Sequence, residues 1–241
     1  MKKQFIAYFD ILGYEQKAGS DETNLFDTIN TCIEKSAKII SGLQNKYNNT
    51  EIKLKVFSDN FLYCTETNYV PLLFLASHIQ AALTCDDVFI RGALCYENLI
   101  FTNDFIYGKG IILANEIESK IAIFPRLIID ASFFLGAAEI NNAIYHKNFS
   151  SNDMHKELEH FYCEDSDGNL YIDYLGEFKY FSESVSKSLY PYSINDLLVK
   201  HKNHIQENIR TSDKKVQQKY QWCKKYHNNF CSNNNFPNLL I

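Results

Sequence analysis

Two aspartates stand out for the chemistry their positions allow. Asp10 ends an unbroken apolar run, Phe5–Phe9, and Gly13 follows shortly after it in the segment FIAYFDILGY. A run of that length suits a strand buried on both faces and is too short for a buried helix. A carboxylate at the end of such a strand leaves the core, where it can cap the next turn or helix or hold a cation. Asp59, in KVFSDNFLYC, lies in a turn between two strand-like arms. Paired carboxylates at one sheet edge, beside a glycine-containing turn, suit Mg²⁺ or Mn²⁺, hard ions that take carboxylate and phosphate oxygens. Two such ions about 4 Å apart lower the pKa of a ribose hydroxyl and stabilise a leaving pyrophosphate. The backbone of Ile11, Leu12, Gly13 and Tyr14 adds amides that can cradle phosphates. The plain alternative is two surface aspartates with no shared ligand.

The surrounding elements decide whether these acids meet. Leu25, Phe26, Ile29, Cys32, Ile33, Ala37, Ile40 and Leu43 recur every three or four residues, an amphipathic helix from Ser20-Asp21 to about Lys46. Ile52, Leu54 and Val56 alternate as in a strand, Ser58-Asp59-Asn60 has turn chemistry, and Phe61–Thr65 returns. Leu72–Leu83 reads as a second helix. Val88–Tyr96 reads as a fourth strand paired with Asn98–Thr102. A third helix holds Leu113–Glu118, and Ile121–Asp130 is a last strand whose Pro125 suits an edge or bulge. This order predicts an α+β fold with a ferredoxin-like βαββαβ palm. In that sheet the first strand lies between the third and fourth and is antiparallel to the third. Asp10 then abuts the turn that carries Asp59.

The expected division is a palm over 1–140 and a mostly helical C-terminal extension over 141–241. Within the extension, Asp165, Asp167 and Asn169 imitate the start of a calcium loop, but Gly168 is misplaced for one. Tyr220, Trp222, Tyr226 and His227 read as an anchor onto the domain or a second copy. With 46% hydrophobic residues the 241-residue chain can bury a large core, and a net charge of −5 argues against a coat for nucleic acid. Its seven cysteines are scattered with no CxxC pair, so reduced buried thiols in a cytoplasmic protein are expected. No signal peptide or membrane span is expected.

The motifs together resemble the class III nucleotidyl cyclases. Their pattern is an F-x-D-I-x-G-F strand end, a K-x-x-G-D hairpin, an R-x-G strand and a G-x-x-V-N-x-A-x-R helix. This chain has Phe9-Asp10-Ile11-Leu12-Gly13-Tyr14, then Lys55-Val56-Phe57-Ser58-Asp59, then Arg91-Gly92-Ala93, then Gly108 and Ala114. IRGAL, ANEIESKIAIFPRLIID and KYQWCKKYHN look closest to the pyrimidine cyclases of Pycsar antiphage systems. The resemblance implies metal-dependent cyclisation of a nucleoside triphosphate by a homodimer. Asp10 and Asp59 would hold the metals, with the Ile11 carbonyl as a further ligand. The implied product, cyclic UMP or cyclic CMP, would act on a downstream effector that senses cyclic nucleotides.

The chain also departs from that pattern. Where the family carries a transition-state Asn and Arg, it has Ile112 and Glu116. Arg91 and Arg126, cations within apolar stretches that need a partner or a cleft, are the candidate replacements. Lys55 and Phe57 share a strand face with Asp59 and are the candidate readers of the base. A lysine donates only, which suits a carbonyl acceptor such as uracil O2 or O4 but also an adenine ring nitrogen, and UTP over CTP is the leading expectation. Two other readings stay open: a palm-type cyclic oligonucleotide synthase, and a degenerate cyclase fold kept as a dimerising or sensor module.

Overall fold

The computed structural model describes residues 2–13, 22–46, 51–182 and 193–241. Its first half runs β1 (Lys2–Ile11), α1 (Glu22–Lys46), β2 (Lys53–Phe57), β3 (Asn60–Thr65), α2 (Tyr69–Thr84) and β4 (Ile90–Phe101). After a short β5 (Ile106–Tyr107) come α3 (Lys109–Lys120), β6 (Leu127–Ile129), α4 (Ala131–Tyr145) and α5 (Ser151–Glu157). The chain ends with β7 (Tyr162–Glu164), β8 (Leu170–Ile172), α6 (Tyr174–Ser182), α7 (Ile194–Asn208) and α8 (Lys214–Asn233). The sheet order is β2-β3-β1-β4-β6-β8-β7, with β5 beside β4. The α+β palm expected from the sequence is therefore present, with β1 between β3 and β4 and antiparallel to both.

The apolar run in β1 reflects helices on both faces of the sheet. Phe5 packs 5.3 Å from the Tyr69 ring of α2 and 5.1 Å from Phe133 of α4, and Phe9 stacks on Phe61 at 5.1 Å. On the other face Ile6 meets Gly110, and Tyr8 reaches Asn115, both on α3. Helix α2 is buried throughout except for Val70, between the palm and the C-terminal helices, which explains its apolar residues on every side.

Two strand expectations change. The expected pair Val88–Tyr96 and Asn98–Thr102 is one continuous strand, β4. It stays straight because β1 begins at Lys2 and pairs Lys2, Lys3 and Gln4 with Leu99, Asn98 and Glu97. The chain reverses at Thr102, whose backbone amide and hydroxyl both bind Phe105 at 3.0 Å. The expected strand Ile121–Asp130 shrinks to Leu127–Ile129, because Pro125 has no N–H to give and Arg126 N bonds back to Phe124 O at 2.7 Å. Past residue 140, β8 pairs with β6, so residues 162–172 widen the same sheet.

Candidate active site

The register places the acids. Asp10, at the end of β1, lies opposite Asn60 on β3 and Arg91 on β4. Phe57 pairs with Asn60, leaving a two-residue turn, Ser58-Asp59, in which Ser58 takes the left-handed backbone (φ 59°) that such tight turns demand. Ile11 N donates to Asp59 O at 3.3 Å, closing that turn against the strand end. Carboxylates 49 residues apart in sequence thus stand side by side, as the strand order requires.

Their electrostatics are strained. Burial pushes the Asp10 carboxyl up to about 7, the adjacent Asp59 carboxyl adds to the rise, and the Arg91 guanidinium opposes it. Asp10 Oδ2 accepts from Arg91 Nε at 3.2 Å and Nη2 at 3.1 Å, while Asp10 Oδ1 is buried with no hydrogen-bond partner. Arg91 also pairs at 2.6 Å with Glu118, a buried acid at the end of α3. An orphaned carboxylate oxygen beside a second carboxylate fits a divalent cation, which would remove the repulsion that now favours a retained proton. Asp10 and Asp59 would hold it, and the Ile11 carbonyl is near enough in sequence to be considered with them. Among the described residues no cluster of three or more His, Cys, Asp or Glu side chains suits a metal, so phosphate oxygens or water would complete its shell.

A cleft of about 580 Å³ opens onto these acids. Asp10, Ile11, Leu12, Gly13, Asp59 and Arg91 line its palm side, and His204, Asn208, Lys219 and Tyr220 of α7 and α8 line the other. Of this second wall the sequence pattern marked only Tyr220, as part of an anchor. Lys219 sits in a polar helical stretch, and Glu118 closes α3 without belonging to any motif. Burial, and next the Arg91 charge, lower the Lys219 pKa, while Asp10, Asp213 and Glu118 oppose that shift.

Several residues singled out in the sequence lie elsewhere. Phe9 is fully buried on Phe61 and Tyr63, so its side chain belongs to the core. Two amides of the expected phosphate cradle are already used: Ile11 N by Asp59 O, and Leu12 N by Phe89 O at 2.9 Å. Gly13 keeps a left-handed backbone (φ 79°) that a side chain would strain. Tyr14 lies outside the described residues. Phe57 is in the Asp10 row of the sheet, 6.3 Å from the Tyr8 ring, and 41% exposed. Lys55 is two rows further and does not line the cleft. Its ammonium donates to the Asn103 carbonyl and to Thr102 O at 3.4 Å. Ile112 is 60% exposed on α3, and Glu116 pairs with Lys120 at 3.1 Å on the same helix.

Arg126 is also outside the cleft. It is fully buried and pairs with Asp165 at 2.6 Å and with Asp167. Asp165 Oδ2 also accepts from Trp222 Nε1 of α8 at 2.5 Å, and the Trp222 ring stacks on Phe124. The acidic turn that imitates a calcium loop therefore clasps an arginine and an indole. Its effect is to fix α8 against the approach to β6.

Fold and site together define an α+β palm with two strand-end carboxylates facing a cleft that the C-terminal helices complete. No family model matches the sequence, and no curated protein is similar to it. Among solved structures, the adenylyl cyclase CyaB from P. aeruginosa is 16% identical and matches over 71% of this chain and 93% of that one, with a TM-score of 0.44. A bacterial light-regulated adenylyl cyclase is 10% identical over 72% and 91% of the two chains, with a TM-score of 0.45. A class III adenylyl cyclase-like ATP-binding protein from Pseudomonas aeruginosa is 11% identical over 65% of this chain and 40% of that one, with a TM-score of 0.35. Likeness this distant carries no argument about activity, which must come from the geometry of the site.

Proposed function

We propose that the chain is a metal-dependent nucleotidyl cyclase that converts a pyrimidine nucleoside triphosphate, UTP before CTP, to the 3′,5′-cyclic nucleotide and pyrophosphate. The observation that carries this reading is the buried, unpartnered Oδ1 of Asp10 beside Asp59 at the mouth of the cleft. Asp10 and Asp59 would hold Mg²⁺ or Mn²⁺, which would activate the ribose 3′-hydroxyl and stabilise the departing pyrophosphate. The 3′-oxygen bonds to the α-phosphorus, the bond from that phosphorus to the β-phosphate oxygen breaks, and the hydroxyl proton passes to water. Arg91 neutralises Asp10 and Glu118, and it would reach phosphate only on leaving Asp10. Arg126 holds the clasp and touches no substrate.

Pyrimidine preference is supported by Lys55, a pure donor, with the exposed Phe57 ring beside it on the same face. Reading a base would require Lys55 to leave the Thr102 and Asn103 carbonyls. A homodimer belongs to this reading, since Phe105, Tyr107 and Ile112 leave apolar side chains exposed around α3. Signalling through an effector in antiphage defence is supported only by the sequence resemblance. Among the described residues no helix is long and apolar enough to cross a membrane.

The test is incubation with each nucleoside triphosphate and Mn²⁺, with products identified by mass spectrometry. The reading expects a cyclic pyrimidine nucleotide from the native chain and none from Asp59→Ala. Conversion of ATP alone defeats the pyrimidine assignment, and turnover unchanged in Asp59→Ala defeats the cyclase. A second reading, a degenerate cyclase fold, is favoured by exposed Ile112 and Glu116. It expects no turnover of any nucleotide.

A further inference from the structure

The reaction piles negative charge on the α-phosphate, and α3 offers nothing to meet it. Ile112 is apolar and exposed, and Glu116 is an acid occupied by Lys120. The opposite wall of the cleft does offer a cation. Lys219 lines it from α8, is half-buried, and makes no hydrogen bond or ion pair among the described residues. Asp10, Glu118 and Asp213 attract it only from beyond contact distance, and half-burying an ammonium with no direct partner is costly, so such a group marks a place where a further anion is expected. Of the two palm arginines, Arg126 lies outside the cleft on Asp165 and Asp167, and Arg91 is held by Asp10 and Glu118.

The helix that carries Lys219 is held firmly. Three residues further on, Trp222 binds Asp165 and stacks on Phe124, and the Tyr226 hydroxyl donates to Asp173 at 2.6 Å. Asp213 caps the helix by accepting from the amides of Lys215 and Val216. Positions three apart lie on neighbouring turns of one face, so the clasp that fixes Trp222 also fixes the direction of Lys219. A lysine on a fixed stem is a point charge of the kind that stabilises phosphoryl groups.

We propose, resting on the cyclase reading, that Lys219 supplies in cis the cation that stabilises the α-phosphate as the 3′-oxygen bonds to it and pyrophosphate leaves with its electron pair. Each chain then carries a complete set of charged groups, and a partner copy contributes none of them.

Three measurements test this together, using the full chain with Mn²⁺ and whichever nucleoside triphosphate it turns over. Lys219→Met should lower kcat about 100- to 1000-fold, the usual cost of losing one preorganised transition-state donor, with Lys219→Arg recovering most of it. Binding of the non-hydrolysable α,β-methylene analogue with Ca²⁺, read by the fluorescence of Trp222, the single tryptophan, should weaken only about tenfold, because a transition-state contact is weaker in the ground state. Mixing Asp59→Ala with Lys219→Met chains should restore no activity. Were Lys219 to serve its partner's site, one of the two sites in each mixed dimer would be intact. A kcat for Lys219→Met within about threefold of the native value overturns the proposal, as does rescue on mixing. If Asp59→Ala is dead while Lys219→Met is fully active, only this inference falls. If the native chain turns over nothing, the cyclase reading falls and this inference with it.

Discussion

Replacing Arg126 with Met tests the clasp that joins β6, the β7–β8 turn and α8. The guanidinium is fully buried, donates to Asp165, to both oxygens of Asp167 and, at 3.4 Å, to Ile121 O, and lies 5.4 Å from the Phe124 ring centre. Met keeps much of the volume and removes the charge. The Asp165 side chain is 8% exposed, so its carboxylate would remain buried with Trp222 and Ser166 as donors and the half-exposed Lys225 ammonium 4.0 Å away. Breaking a buried pair from one side costs about 3–5 kcal/mol. The Asp167 side chain is 43% exposed and adds little, because solvent screens its share. A chain of this size loses about 2–4 °C of Tm per kcal/mol, so Tm should fall by roughly 6–20 °C. Adding Asp165→Asn and Asp167→Asn removes the stranded charges and should recover part of the loss. Arg126 holds the Asp167 carboxyl well below the usual carboxylate range. For Asp165, burial raises the pKa but the Trp222, Ser166 and Arg126 contacts outweigh it. Their contribution is thus present above the unfolded carboxylate pKa of about 3.9 and is lost as pH falls through the lower folded values. The gap between native and Arg126→Met stability should narrow as pH falls, because burial without the arginine raises the variant's Asp165 pKa and that carboxylate takes up its proton before the native one does. Urea unfolding at several pH values reads all of this. A loss under about 1 kcal/mol, or a triple variant less stable than the single one, refutes the clasp.

Glu177 is buried with both oxygens unpartnered, and burial, then the Asp173 charge, push its carboxyl up to about 8. The unfolded chain releases this proton near pH 4.5, so native stability should fall between there and pH 8 by at most about 1.4 kcal/mol per pH unit. Glu177→Gln should remove that slope, and a stability difference that stays flat from pH 5 to pH 8 would contradict the assignment. Gly92 pairs with Phe9 where a Cβ would collide with Tyr8 O and lie 2.7 Å from Phe9 Cα, so Gly92→Ala should cost about 3 kcal/mol in urea unfolding. Tyr226→Phe removes the 2.6 Å bond to Asp173 and strands the amide of Leu175, which donates to that hydroxyl at 3.0 Å. A cost of about 1–3 kcal/mol is expected, and a neutral result would deny the hydroxyl its structural part.

What the sequence disclosed followed from local periodicity. The apolar run at Phe5–Phe9 marked a strand covered on both faces, and the βαββαβ order alone brought Asp10 to the turn of Asp59, because strand order fixes which ends meet. The unbroken β4 escaped notice because its straightness depends on Lys2–Gln4 pairing across the sheet, a tertiary effect invisible in Glu97-Asn98 itself. Arg126 in the sequence was a cation needing a partner. Which partner could not be read, since Asp165 and Asp167 lie about forty residues away in a turn that looks like a cation loop. Lys219 was illegible for the same reason. A lysine in a polar helix has no sequence sign that its helix is docked beside a strand end in another part of the chain.

The second wall of the cleft changes what the missing α3 residues mean. On the proposed cyclase reading, a palm without a phosphate-facing cation on α3 has either lost the reaction or gained a cation elsewhere. A retired site has no physical reason to keep Asp10 buried against Asp59, where the two repel and one oxygen is left without a donor. Each such feature costs stability that a neutral replacement would recover. The fold likewise spends Arg126, the turn residue Asp165 and Trp222 of α8 on holding a polar helix over that site. Stability alone would be served by an apolar contact at that position. A clasp made of charges fixes a direction, and the side chain it directs toward the acids is Lys219.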